Sequence, residues 1–209
     1  MIIGLVGCGK SIDTEKAGKE EELSIEEQNV QSAKQTIEKV FENFKKLNFA
    51  EAGQNIDVAE IEAFIDSELG YMSGDQFMNE WFDTLNFEII SAENVDDTTV
   101  SIYGKLIARD MAELLLKHHE MFSSYMDQNL ENFYSYSQEQ LKEFIKTKST
   151  ETFRECVKSD DYTTITSSVT LNVVNTDGNW HVEIDDDFLN ALLGDYIGGV
   201  EALGIGVSQ

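Results

Sequence analysis

The sequence predicts an α+β domain, a curved antiparallel sheet of about four strands in two hairpins packed against helices. Two observations carry this expectation. Capping residues recur ahead of stretches whose apolar side chains are three and four positions apart, which marks amphipathic helices. Twice the period changes to alternation about a turn, which marks a hairpin with one buried and one polar face. Runs of helix and runs of strand are segregated rather than interleaved, so the sheet is antiparallel and not doubly wound.

The elements follow in order. Ser24 and Glu27 form a capping box ahead of Val30, Ala33, Ile37, Val40, Phe41, Phe44 and Leu47, one face of a long helix. Asp57 with Glu60 opens a second helix carrying Val58, Ile61, Phe64, Ile65 and Leu69, and Ser73 with Gln76 a short third carrying Phe77 and Trp81. Gly70 and Gly74 supply the corner between them. Phe87 to Ala92 and Thr98 to Ala108 read as strands, joined by a turn at Asn94, Asp96 and Asp97. Asp110 with Glu113 caps a fourth helix with Met111, Leu114, Leu115, Phe122 and Tyr125 on its stripe. Ser137 with Gln140 caps a fifth, with Leu141, Phe144 and Ile145 expected inward. In the second hairpin Ile165, Val169, Leu171 and Val173 share a face, Asp177-Gly178 turns the chain, and Trp180, Val182 and Ile184 return. Asp185, Asp186 and Asp187 then cap a last helix with Phe188, Leu189, Leu192, Leu193 and Tyr196.

Composition narrows the function. At 209 residues with 41% hydrophobic side chains, the chain can bury one ordinary core. Fifteen basic residues against forty acidic ones give a net charge of −25. That excludes a nucleic-acid partner, which needs a basic face, and disfavours an anionic membrane surface unless an anchor supplies the attraction. Mutual repulsion between copies favours a monomer. No apolar run approaches the roughly 18 residues of a membrane span. Two cysteines, Cys8 and Cys156, cannot make a disulfide framework. Cys156, between Phe153 and Val157, reads as a buried, inert thiol.

Two motifs overlap at the N-terminus. Gly4, Gly9, Lys10 and Ser11 satisfy the phosphate-loop spacing, whose small residues let backbone amides wrap a phosphate. That loop requires a buried helix after it, yet between Ser11 and Glu22 only Ile12 and Ala17 are apolar. A nucleotide-binding role is therefore the weakest reading. Leu5-Val6-Gly7-Cys8 resembles instead the lipobox of bacterial lipoproteins. In that family a diacylglycerol is carried by the cysteine thiol and the peptide is cut just before it, which gives two acyl chains and a stable anchor. The polar, acidic stretch after Cys8 suits a solvated tether. Only seven residues precede Cys8 and none is basic, so the signal sequence is expected to begin upstream of Met1. The organisation expected is a signal remnant over 1–7, a tether over 8–23, one domain over 24–198 and a loose tail over 199–209.

Together with the lipobox, the tether and the long first helix, one late stretch carries a further resemblance. It reads Val-Thr-Leu-Asn-Val-Val-Asn-Thr-Asp-Gly-Asn-Trp-His-Val and soon enters Asp-Asp-Asp-Phe-Leu-Asn-Ala-Leu-Leu-Gly. The chain is similar to a group of Gram-positive lipoproteins of unknown function with a cone-shaped domain of the nuclear-transport-factor or cystatin-like kind. The likeness is sharpest over Thr163 to Gly194. It implies a cone-like or cystatin-like fold on the outer face of the cell membrane, and it brings no catalytic residues with it. Such cones can enclose a pocket between sheet and helices, and Trp81, Tyr103 and His118 are the candidates to line one here.

Residues with the right chemistry for a metal or a reaction are poorly arranged for it. His118 and His119 are adjacent and diverge by about 100° on a helix, so they cannot converge on one ion. His118 falls on the apolar stripe as a core or boundary histidine, and His181 alternates outward. Asp185, Asp186 and Asp187 lack the alternating spacing and distal glutamate of a calcium loop, and capping accounts for them. No metal, cofactor or catalytic residue is expected, and the function expected is non-catalytic binding of an envelope protein or small ligand. The alternative is a small-molecule or enzymatic pocket within the cone.

Overall fold

The first helix, α1 (Ile25–Lys45), begins as its capping box requires. The Ser24 hydroxyl accepts the Glu27 amide at 3.2 Å, and the Glu27 carboxylate accepts the Ser24 amide at 2.8 Å. Two donors that the helix would leave unpaired are thereby satisfied. In this computed structural model, which describes residues 23–204, Ala33, Ile37, Val40, Phe41 and Phe44 are buried along one face of α1. Leu47 departs from the expected stripe. Its φ of +54° ends the helix and leaves its side chain 36% exposed. Cys8, the lipobox residues Leu5, Val6 and Gly7, and the phosphate-loop-like stretch lie outside the described residues.

Beyond α1 come a short helix, α2 (Phe49–Ala52), then α3 (Val58–Glu68) and α4 (Gly74–Trp81), and a single 3₁₀ turn at Phe82–Thr84. Asp57 caps α3 as expected, accepting the Glu60 amide at 3.1 Å. Ser73 and Gln76 do not form the expected box. Gly74 packs against the α3 backbone so closely that a Cβ there would lie 2.6 Å from the Glu62 carbonyl. That approach brings Asp66 within 2.6 Å of the Gly74 amide, and its carboxylate takes the capping role.

The sheet comprises β1 (Asn86–Asn94), β2 (Thr99–Arg109), β3 (Thr164–Thr176) and β4 (Asn179–Val182) in the order β1-β2-β3-β4, all antiparallel. The two hairpins join because β2 and β3 pair along eleven positions, from Thr99 with Val174 to Arg109 with Thr164. A bulge between Ile89 and Ser91 keeps β1 in register with β2. Val100, Ile102, Leu106, Val169, Leu171 and Val173 face inward, and α1 lies across all four strands on that side. The core between them is rich in rings. Phe41 stacks on Phe87 at 4.9 Å and Phe44 meets Phe82 at 5.0 Å. Phe44 is fully buried, a placement that contributes about 1.5–3 kcal/mol.

Three helices lie between β2 and β3: α5 (Met111–Gln128), α6 (Leu130–Phe133) and α7 (Gln138–Val157). Their burial is uneven. On α5 it stops at His118, and on α7 it is confined to Thr152, Phe153, Cys156 and Val157. The far halves therefore project as an arm, since the 20 residues of α7 span about 30 Å. Leu141, Phe144 and Ile145 do not enter the main core as expected. They are half-buried on the arm, where Phe144 packs with Tyr125, Phe133 and Tyr136 at 5.3–6.1 Å.

The chain closes with α8 (Asp186–Leu192) and α9 (Tyr196–Ala202), where one continuous helix was expected. Gly194 (φ +66°) and Asp195 (φ +59°) break it. Gly194 sits directly against the Arg109 carbonyl, where no Cβ fits, and its own carbonyl accepts the Met111 amide at 3.0 Å. The domain also runs past residue 198, because Gly199 and Val200 are buried where α9 packs on α5. A loose tail is expected from 199 because two glycines and a short apolar stretch do not by themselves announce a helix.

Candidate functional site

The same helix break builds the most distinctive cavity. Turned back at Gly194, α9 lies beside α5 and leaves a cleft of about 360 Å³ between α9, α5, α7 and the corner after α3. Glu68, Leu69 and Tyr71 come from that corner. Leu115, His118, His119 and Phe122 come from α5, Ser149 from α7, and Tyr196, Val200 and Leu203 from α9. Its volume lies at the lower end of the range for small-molecule sites. A roomier trough of about 600 Å³ runs along the outer side of α1 past Leu23, Glu26, Val30 and Lys34. Its wall is mostly exposed Glu and Gln side chains along one helix, and it lies far more open to solvent than the cleft.

His118 anchors the back of the cleft. It is 6% exposed, and its Nε2 lies 3.1 Å from the Ser149 carbonyl. The Ser149 hydroxyl lies 3.2 Å from the same nitrogen, so one residue of α7 meets Nε2 through both its carbonyl and its side chain. Burial pushes the His118 pKa below its usual value, outweighing the Ser149 hydrogen bond that raises it. The imidazole is therefore neutral at physiological pH. Tyr71 packs edge-on against it at 5.1 Å, Phe122 stacks near it at 6.1 Å, and Phe153 closes behind at 5.6 Å.

Tyr196 faces these rings from α9. Its hydroxyl donates to the Glu68 carbonyl at 3.0 Å, which ties α9 to the end of α3. Its pKa is raised by burial and then by the Glu68 carboxylate nearby, so the phenol stays protonated. The polar groups of the cleft are thus a neutral imidazole, the phenols of Tyr71 and Tyr196, a serine, His119 and one carboxylate.

The three side chains expected to line a pocket lie in three different places. Only His118 reaches the cleft. Trp81 is fully buried at the end of α4, with its indole nitrogen donating to the Leu192 carbonyl at 3.0 Å. It stacks on Phe77 at 5.0 Å, and the Arg109 guanidinium lies 5.8 Å over its ring. Trp81 is a core residue because the α8 carbonyl it satisfies is reachable only from inside the domain. Tyr103 is 41% exposed on the outer face of the sheet, opposite Thr170 and Ser91. The alternation that places it on the polar side of β2 also places it on the side that no helix among the described residues covers.

Sequence reasoning missed Tyr71, Tyr196 and Glu68. Tyr71 follows the Gly70 turn and carries no periodic signal of its own. Tyr196 was placed on the stripe of α8, and only the break at Gly194 turns it toward α5. The other candidate sites stand in simpler terms. Asp185 accepts the Phe188 amide at 2.7 Å and so caps α8. Among the described residues no three His, Cys, Asp or Glu side chains are grouped to hold a metal ion. Cys156 is 5% exposed beside Met121, and burial pushes its thiol pKa up. No helix among the described residues is long and apolar enough to cross a membrane. No protein-family model matches the chain, and no curated protein or solved structure matches it.

Proposed function

We propose that this chain is a non-catalytic ligand-binding domain, held outside the cell membrane by a lipid on Cys8, with the cleft between α5 and α9 as its binding site. The observation that carries the reading is the cleft itself. It is walled by five rings and by Leu69, Leu115, Val200 and Leu203, a largely apolar lining of the kind that binds small molecules. Its polar groups favour binding over catalysis. The Nε2 of His118 and the hydroxyl of Tyr196 are each engaged in a bond that holds two helices together, which suits a fixed wall rather than a proton relay.

The lipid anchor rests on Leu5-Val6-Gly7-Cys8 and on the acidic stretch that follows. The likeness to lipoproteins of the nuclear-transport-factor or cystatin-like kind rests on the late hairpin and the turn into α8. An anchor would reconcile a membrane location with a net charge of −25, which repels anionic lipid. The same charge favours a monomer. Both parts of the proposal are open to test. Small neutral aromatics, such as phenol and benzyl alcohol, are titrated against ¹⁵N-labelled protein, with Leu203→Trp as a variant that fills the cleft. Shifts confined to the cleft and lost in that variant support the site, and shifts scattered over the surface reject it. For the anchor, intact mass and membrane partition are compared with Cys8→Ser. A diacylglyceryl-sized increment on Cys8, absent from the variant, supports it, and an unmodified soluble chain rejects it.

A further inference from the structure

The cleft has a sign as well as a shape. Among the described residues its wall includes Glu68 and neither lysine nor arginine. The lysines next in sequence to His118 and Ser149 are engaged elsewhere. Lys117 pairs with Asp161 at 3.5 Å, and Lys148 pairs with Glu151 at 3.2 Å and lies 4.6 Å over the Tyr125 ring. The cleft belongs to a chain carrying −25 net charge, so the field within it favours positive ligands. An anionic ligand would meet no compensating charge there. A cation would meet a lining that includes the aromatic residues Tyr71, Phe122 and Tyr196, a residue type that attracts ammonium groups, with the Glu68 carboxylate near Tyr196.

Resting on the proposed role of the cleft, we propose that its ligand is a small organic cation, an ammonium group carried on an apolar body. The ammonium lies against Tyr71, Phe122 and Tyr196 with Glu68 as counter-charge, and the apolar body fills the space bounded by Leu115 and Leu203.

Choline and its uncharged carbon isostere 3,3-dimethylbutan-1-ol separate shape from charge. Each is titrated into the full chain at low ionic strength, with binding followed by calorimetry and by amide chemical shifts. The expected result is choline binding at least about tenfold tighter than the isostere, with shifts centred on Tyr71, His118 and Tyr196. Glu68→Gln weakens choline severalfold and leaves the isostere unchanged. Leu203→Trp, which fills the space of the apolar body, abolishes binding of the isostere and weakens that of choline. Equal or tighter binding of the isostere overturns the cationic ligand while leaving the cleft as an apolar site. Choline bound equally by Leu203→Trp is attraction to the acidic surface and also overturns it. Absence of binding by either probe rejects the cation, and absence of neutral-aromatic binding as well rejects the cleft as a site.

Discussion

Replacing Trp81 by Phe decides whether the largest core side chain serves the fold or a ligand. Two losses follow from its surroundings. The Leu192 carbonyl, near the end of α8, loses the indole N–H that lies 3.0 Å away, and a buried acceptor left unpaired costs about 1–3 kcal/mol. The smaller ring leaves a void of roughly 40 Å³, which at about 24 cal/mol per Å³ costs about 1 kcal/mol. The sum is about 2–4 kcal/mol before loss of the Arg109 contact over the ring. Urea unfolding at neutral pH reads this directly, because Trp180 remains as the single fluorescent tryptophan. With a denaturant slope of about 2 kcal/mol per molar, the midpoint should fall by about 1–2 M. Binding of small aromatics to the folded variant should be unchanged. A midpoint within about 0.3 M of the parent refutes the core placement. Loss of ligand binding by a stably folded variant would restore Trp81 to a pocket.

Two further outcomes test the parts of the domain that frame the cleft. Gly194→Ala puts a Cβ onto the Arg109 carbonyl at a positive φ, costs at least about 2 kcal/mol, and should lower Tm by about 5 °C or more. An unchanged Tm would show that the break between α8 and α9 is not held by that contact. Burial holds His118 below its ordinary pKa, so the unfolded chain takes up a proton before the folded one does. Stability should therefore be full above about pH 6.5. It then falls with decreasing pH, toward the lower folded value, by up to about 1.4 kcal/mol per pH unit. Urea midpoints at about pH 7.5 and about pH 5.5 measure this fall, and a decline that persists undiminished in His118→Phe assigns it to other groups.

The sequence was readable wherever a local signal sufficed. The Ser24 and Ser137 boxes and the Asp57, Asp110 and Asp185 caps form as their spacing indicates. Asp177 and Gly178 adopt the positive φ of the expected hairpin turn. What failed depends on distant parts of the chain. Phe188, Leu189, Leu192, Leu193 and Tyr196 continue a helical stripe through Gly194, and nothing nearby reveals that the Arg109 carbonyl lies against that glycine. Leu141, Phe144 and Ile145 are correctly apolar, but periodicity cannot say whether they meet the main core or the facing helix of an arm. Leu47 has the right spacing for α1 and the wrong backbone, because its position is set by the turn into α2. The cleft was unreadable for the same reason, since Glu68 and Tyr196 are 128 positions apart.

The geometry of the cleft follows from how its two sides are fixed. On one side α9 is held by backbone. Met111 donates to the Gly194 carbonyl, and Gly199 sits so close to Ala112 that a Cβ there would be 3.0 Å from the Ala112 Cα. This leaves α9 little freedom to slide along α5. On the other side Tyr71, His118 and Phe153 hold one another ring to ring at 4.7–5.6 Å, backed by Phe77 and then by Trp81. A wall fixed on both sides does not have to be ordered when a ligand arrives, which lowers the entropy cost of binding. The arm lies outside this support, because neither α5 beyond His118 nor the first half of α7 is buried in the body. Among the described residues only His119, Phe122 and Ser149, at the base of the arm, line the cleft, so movement of the arm would change the mouth and leave the ring-lined back unchanged.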